Sequence, residues 1–227
     1  MRRVGIGAGL WLAAVVALAG CSSDGNSRSV DALRKIAAQA ASVGDTEGRD
    51  ARAVLTPEIV AAATEPYLLV DIPSRQASAT RALFHRRGPV QDWRGADGIS
   101  LVLRDDVLIA TRGLGPDLFA ADPVPPQVLR AAGPGPYARA FRHLDGENRE
   151  VVSSYSCSLA PGGTAQVDLI ARNRATRRVV ETCTPATPGG AQVVNEYWIG
   201  TSDDLIWKSK QWVGESVGYV TLSHLVR

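Results

Sequence analysis

The chain has 227 residues, with 25 Lys and Arg against 23 Asp and Glu; two of the cations, Arg2 and Arg3, precede every acid. The 207 residues from Cys21 onward therefore carry 23 charges of each sign. That balance excludes the clustered cationic excess that nucleic-acid binding requires, and the length suffices for one sizeable core.

Met1-Arg2-Arg3 followed by the apolar run Val4 to Leu18 and the small-residue exit Ala19-Gly20 has the charge, length and ending of a secretory signal peptide over residues 1–20. The run is short of the roughly 20 apolar residues of a membrane span, and no second run of that kind follows. Leu18-Ala19-Gly20-Cys21 resembles the bacterial lipobox, which makes Cys21 the lipidated first residue of the mature protein. Residues 21–28 (CSSDGNSR) read as a flexible tether, and residues 29–227 as a single mostly-β domain.

Ser29 can cap a helix whose apolar positions Val30, Leu33, Ile36, Ala37 and Ala40 share a face, with Gly44 as its stop. Thr56-Pro57-Glu58 opens a second short helix, with Thr56 as cap and Pro57 in the first turn. From Pro66 the pattern turns to strands. Tyr67 to Ile72 reads as a buried strand, Ser78 to His85 alternates, and Leu101 to Leu103 faces Val107 to Ile109 across the turn Arg104-Asp105-Asp106. Arg112 to Pro126 reads as an ordered loop with one helical turn at Leu118-Phe119, and Gly133 to Pro136 as a further break. Thereafter strands are predicted at Phe141 to Leu144, Val151 to Leu159, Val167 to Ala171, Val179 to Thr184, Val193 to Ile199, Leu205 to Trp212 and Val217 to Val226. Their turns include Asn173-Arg174-Ala175 and Thr201 to Asp204. The predicted class is mainly β: an antiparallel sheet, curled or partly open and barrel-like, with short N-terminal helices.

Few residues are spaced for chemistry. Gly214-Glu215-Ser216-Val217-Gly218 matches the G-x-S-x-G elbow of hydrolases, but no acid lies between Ser216 and His224, so the required order of acid then histidine is impossible. It reads as a turn before the last strand. Gly5-x-Gly7-x-Gly9 lies in the leader and carries no meaning. His85, His143 and His224 have no metal-binding spacing and read as surface or edge residues, and the pairs Asp105-Asp106 and Asp203-Asp204 as turn residues facing water. No cofactor and no metal site are predicted. The arginines Arg172, Arg174, Arg177 and Arg178 read mainly as a solvated strand end, with anionic polysaccharide or lipid phosphate as the functional alternative. By strict alternation Trp207 falls on a core-like face and Trp212 on the face of Lys208 and Lys210. Trp212, Arg174 and Arg177 are thus the candidate contacts for a partner or glycan. With Cys21 assigned to lipid, Cys157 and Cys183 remain as an even pair in an oxidising compartment. A disulfide closing a loop of about 25 residues would contribute roughly 3 kcal/mol. The alternatives are two free thiols or half of a metal site, the latter poor in ligands for zinc.

Three blocks in the C-terminal third, Asn195-Glu196-Tyr197-Trp198, Leu205 to Trp212 and Gly218 to Leu222, resemble the YjbF/GfcB family of group 4 capsule polysaccharide lipoproteins. Trp93 to Leu101, Ala110 to Leu118, and Tyr155-x-Cys157 with Cys183 are similar to it as well, so the likeness runs from about Thr56 onward. It implies a mostly antiparallel, partly open barrel. It also implies an outer-membrane lipoprotein facing the periplasm, encoded beside capsule or exopolysaccharide secretion proteins that include an outer-membrane β-barrel. Cys21 and the Cys157/Cys183 pair are the positions to which the family lends defined roles; Ser22 lacks the aspartate that retains lipoproteins in the inner membrane. The expected function is that of a non-catalytic accessory in polysaccharide secretion or assembly, with the membrane, secretion proteins and polysaccharide as partners. The alternatives are a polysaccharide-modifying enzyme using carboxylates such as Asp97, Asp117 and Glu196, and a purely structural envelope lipoprotein.

Overall fold

The computed structural model describes residues 50–133 and 135–227. The signal peptide, Cys21, the tether and the helix expected after Ser29 lie outside the described residues. Among the described residues, no helix is long and apolar enough to cross a membrane.

Twelve strands form one antiparallel sheet: β1 (Tyr67–Ile72), β2 (Ala77–Arg87), β3 (Val90–Arg94), β4 (Ser100–Arg104), β5 (Val107–Arg112), β6 (Leu118–Ala121), β7 (Tyr137–Leu144), β8 (Glu150–Asp168), β9 (Asn173–Pro185), β10 (Val193–Gly200), β11 (Ile206–Gly214) and β12 (Gly218–Val226). Their order, β5-β4-β3-β2-β1-β12-β11-β10-β9-β8-β7-β6, is a meander whose last strand returns to its first. Leu69 pairs with Ser223 and Val70 with Leu222. The sheet is a nearly closed barrel, and its seam lies mid-chain between β5 and β6. Side chains bridge the seam. Thr111 Oγ1 accepts from Leu118 N at 2.9 Å and donates to Asp117 Oδ1 at 2.9 Å. The Arg112 guanidinium donates to the carbonyls of Leu118 and Phe119.

Alternation sends one face of each strand inward. Leu68, Val70, Trp93, Leu101, Leu103, Phe141, Cys157, Cys183, Val220 and Leu222 belong to the inner core. β1 has three consecutive buried residues because its outer side is covered too: Leu69 packs with Val60, Val167, Leu169, Trp207 and Leu225. Val60 comes from α1 (Pro57–Ala61), capped by Thr56 Oγ1 accepting from Ile59 N at 3.3 Å, with Pro57 in its first turn as expected.

Four predicted details are corrected. Leu118-Phe119 is not helical but opens β6, where Leu118 and Ala121 face the core and pairing with β7 outweighs the surrounding Gly and Pro. The long connection after β6 contains α2 (Pro126–Ala131), which puts Leu129 into a buried cluster with Val124, Tyr197 and Ile206. β8 continues through Pro161-Gly162-Gly163, which the ladder absorbs as a bulge before Thr164. Its hairpin turns at 169–172 rather than at Asn173-Arg174-Ala175, because Asp168 Oδ1 accepts from Ile170 N at 2.8 Å and starts the turn early.

Candidate functional site

Successive connections fall alternately at the two barrel ends. At the end after β1, β3, β5 and β11, Leu114 and Val217 are buried as plugs. The Arg75 guanidinium donates to the Leu114 carbonyl, and the Ser74 hydroxyl donates to the Val217 carbonyl at 2.7 Å. Gly214 to Gly218 is the turn joining β11 to β12, and Ser216 lies exposed in it.

The opposite end holds a cavity of about 260 Å³. The β2–β3 turn contributes Arg86, Gly88 and Pro89, the β4–β5 turn Asp105 and Asp106, and α2 Leu129 and Arg130. The β10–β11 turn adds Asp204, Leu205 and Ile206, and the C-terminus adds Arg227. Gln91, on β3, reaches this wall from the barrel interior; its Oε1 accepts from Trp93 Nε1 at 2.9 Å.

Two residues expected at the surface are buried here. Asp106 does not face water, because its turn folds inward over the barrel mouth and buries it. Its Oδ2 accepts from Arg227 Nη2 at 3.0 Å, and its Oδ1 stands 3.4 Å from His224 Nε2. His224 is likewise no surface histidine: it shares the inward face of β12 with Val220 and Leu222, edge-on to the Trp93 ring at 5.5 Å. Burial, aided by Arg227 and Arg86 and opposed by Asp106, pushes its pKa down to about 3, so the imidazole is neutral at physiological pH. His143, by contrast, is half-buried against Trp212 with Nε2 at 2.7 Å from the Val213 carbonyl, and His85 is exposed.

Deeper in the barrel lies a polar nest built by β7, β9 and β10. Glu181 Oε2 accepts from Arg139 Nη1 at 2.7 Å, Asn195 Nδ2 at 2.7 Å and Tyr197 Oη at 3.0 Å; Oε1 accepts from Tyr137 Oη at 2.7 Å. Both charged side chains of the Arg139–Glu181 pair are buried. Burial, and then the neighbouring Glu181 carboxylate, raise the pKa of both tyrosine hydroxyls, which stay protonated donors. Burial alone would lower the Arg139 pKa, but Glu181, Tyr197 and Tyr137 reverse this and hold it above its ordinary value. Beside the nest, Cys157 and Cys183 stand directly opposite each other on β8 and β9 and form the disulfide. Their sulfurs and the Glu181 carboxylate lie within 4.8 Å of one another. That grouping does not fit a metal as folded, since the sulfurs are bonded to each other and the carboxylate oxygens accept four hydrogen bonds.

The structure separates the contact candidates. Arg174 lies over the Trp207 ring at 4.4 Å, on the outer side of the β8–β9 tip, and Arg177 pairs with Asp204 at 3.0 Å. Trp212 leaves the face of Lys208 and Lys210 because a bulge between Trp212 and Gly214 breaks the alternation. Its half-buried ring meets Phe141 at 5.0 Å, His143 at 5.6 Å and Tyr155 at 6.3 Å, all edge-on. Asp97, Asp117 and Glu196 serve three separate arrangements. Asp97 pairs with buried Arg81 at 2.8 Å, Asp117 binds Thr111 and the amides of Gly113 and Leu114, and Glu196 pairs with Arg178 at 3.0 Å. The strand alternation held a signal for the nest: Val179, Glu181 and Cys183 share one parity, which puts a carboxylate between two core positions.

No curated protein sequence matches the chain. Among solved structures, the crystal structure of the hypothetical lipoprotein YmcC from Escherichia coli (K12) is similar, with a TM-score of 0.68. The similarity covers 85% of this chain and 95% of that one at 17% sequence identity, and so shows a shared fold. The family model described as "Group 4 capsule polysaccharide lipoprotein gfcB, YjbF" matches residues 30–225, and the chain belongs to that family.

Proposed function

We infer that the protein is a lipid-anchored accessory of capsule or exopolysaccharide secretion, held by acylated Cys21 in the outer membrane and facing the periplasm. It acts there without catalysis, by docking on secretion proteins, on the polysaccharide, or on both. The observation that carries this reading is the family match over residues 30–225, with the lipobox-like Leu18-Ala19-Gly20-Cys21 upstream of it. Acyl chains contribute about 0.8 kcal/mol per buried CH₂, so anchoring is firm once more than one chain is attached. A non-catalytic role agrees with the dispersal of Asp97, Asp117 and Glu196 among unrelated contacts and with the placement of Ser216 in an exposed turn.

The test is deletion of the gene under conditions of active secretion, with surface polysaccharide measured by immunoblot or sugar analysis. The expected result is loss or shortening of the surface polymer, restored by the intact gene and not by Cys21→Ser. Unchanged polymer in the deletion strain overturns the role. Turnover of isolated polysaccharide by the purified protein overturns its non-catalytic character.

A further inference from the structure

The polar groups around the cavity at the α2 end are unbalanced. Arg86 and Arg130 make no ion pair or side-chain hydrogen bond among the described residues, and both line the cavity. Gln91 is 6% exposed. Because an indole can only donate, the contact with Trp93 occupies the Gln91 carbonyl oxygen, and this orients the amide. Its NH₂ has no partner among the described residues, so two donors stand unused at the cavity wall. On the acceptor side, Arg227 takes Asp106 Oδ2 and Arg177 takes Asp204 Oδ1, which leaves the Asp105 carboxylate, Asp204 Oδ2 and the buried Asp106 Oδ1 against two whole guanidinium groups and the Gln91 amide. Unused donors thus outnumber unused acceptors, and the two arginines present guanidinium forks that match a carboxylate.

The remaining wall narrows the ligand further. Leu129, Ile199 and Ile206 supply an apolar floor suited to the C–H face of a ring. Three wall carboxylates disfavour a compact dianion such as phosphate, whereas a monoanion rich in hydroxyls gives Asp105 a donor to accept from. The volume of about 260 Å³ lies just below the roughly 300–1,000 Å³ of sites for drug-sized ligands, which is room for one sugar residue rather than a chain.

We propose that this cavity binds a single carboxylate-bearing sugar residue of an acidic polysaccharide. Arg86 and Arg130 hold the carboxylate, the Gln91 amide donates to a ring or hydroxyl oxygen, and Asp105 accepts from a hydroxyl. The proposal rests on the secretion role inferred above and names the polymer class that the role would serve.

The experiment is calorimetric titration of the full-length protein in detergent with trigalacturonate, maltotriose and inorganic phosphate. Trigalacturonate is expected to bind at least about tenfold more tightly than either of the others, with about tenfold lost in Arg86→Ala or Arg130→Ala, the equivalent of one charge-assisted hydrogen bond. Both arginines are exposed, and unchanged melting of the variants verifies their folding. In the unaltered protein, amide NMR shifts on adding trigalacturonate are expected at Asp105, Asp106 and Arg130. Absence of binding, equal binding of maltotriose, phosphate binding as tight as trigalacturonate, unaffected variants, or shifts confined to another surface each overturn the site. A strain carrying Arg86→Ala and Arg130→Ala that exports normally also overturns it while leaving the accessory role standing; unchanged polymer in the deletion strain removes the role itself.

Discussion

The Arg139–Glu181 pair permits a stability test in which charge can be isolated from shape. In Glu181→Gln the new amide oxygen can occupy the Oε2 position, where it accepts from Arg139, Asn195 and Tyr197 as the carboxylate does. The new NH₂ then falls at the Oε1 position and donates to Tyr137 Oη, which accepts as readily as it donates. The substitution therefore keeps the hydrogen-bond count and removes one charge, leaving Arg139 buried with no counter-ion. Arg139 keeps its bond to the new amide oxygen, its bond to the Asp122 carbonyl at 2.8 Å and the Phe141 ring at 4.8 Å, and none of these carries a negative charge. An uncompensated buried charge costs about 3–5 kcal/mol, which in a domain of this size lowers Tm by about 6–20 °C. Adding Arg139→Met removes the orphaned charge, so the double variant is expected to recover at least about 2 kcal/mol relative to the sum of the singles. Urea unfolding followed by tryptophan fluorescence, with the disulfide intact, gives all four stabilities of the cycle. A loss below about 1 kcal/mol in Glu181→Gln, or a coupling energy near zero, refutes the claim that the pair is a mutually dependent buried unit.

Three further outcomes are expected. Replacing Cys157 and Cys183 by serine releases a cross-link spanning 26 residues, and urea unfolding should show a loss of about 3 kcal/mol; no change would mean that the ladder alone holds β8 to β9. His224 stays neutral in the folded protein down to about pH 3, whereas in the unfolded chain it takes up a proton near pH 6.5. Its contribution is therefore present above pH 6.5 and is lost as pH falls from 6.5 toward 3, by up to about 5 kcal/mol. The urea midpoint should accordingly fall more steeply between pH 7 and 4 in the native protein than in His224→Gln, and parallel slopes would contradict the buried, neutral assignment. In Gly95→Ala the added methyl would collide with Arg81 Nη1 and stand 2.6 Å from Asp97 Oδ1. Since Arg81 is buried and cannot swing away, calorimetry should record a loss of about 1–3 kcal/mol.

The strands and turns were legible because alternation and turn residues are local signals: the hairpin at Asp105-Asp106, the cap at Thr56 and the turn at Gly214 to Gly218 all stand where read. The disulfide followed from cysteine parity, and the register of β8 on β9 supplies its geometry. Features made by distant segments were not legible. The closure of β12 on β1 joins segments at opposite ends of the chain, and no local pattern encodes it. Glu181 is a core residue because β7 and β10 bring Arg139, Tyr137, Tyr197 and Asn195 to it, and those partners come from outside its own strand. Trp212 was misplaced because it opens the bulge at Trp212 to Gly214, where its ring turns to the same inner core as Val213, and counting alternation cannot foresee a bulge. The cavity joins three turns, a helix and the last residue, none of which marks a site by itself.

The pairing of the last strand with the first has a consequence for how the protein is made. β1 is synthesised early, and one of its two edges has no partner until Gly218–Val226 has emerged. The ladder that completes the barrel is thus the last to become available, and it is as non-local as the chain allows, which favours slow folding. A protein exported as an unfolded thread benefits from that order. Under the export proposed above, the barrel cannot close while its C-terminus is still on the near side of the membrane, so the chain stays open until its last strand has crossed.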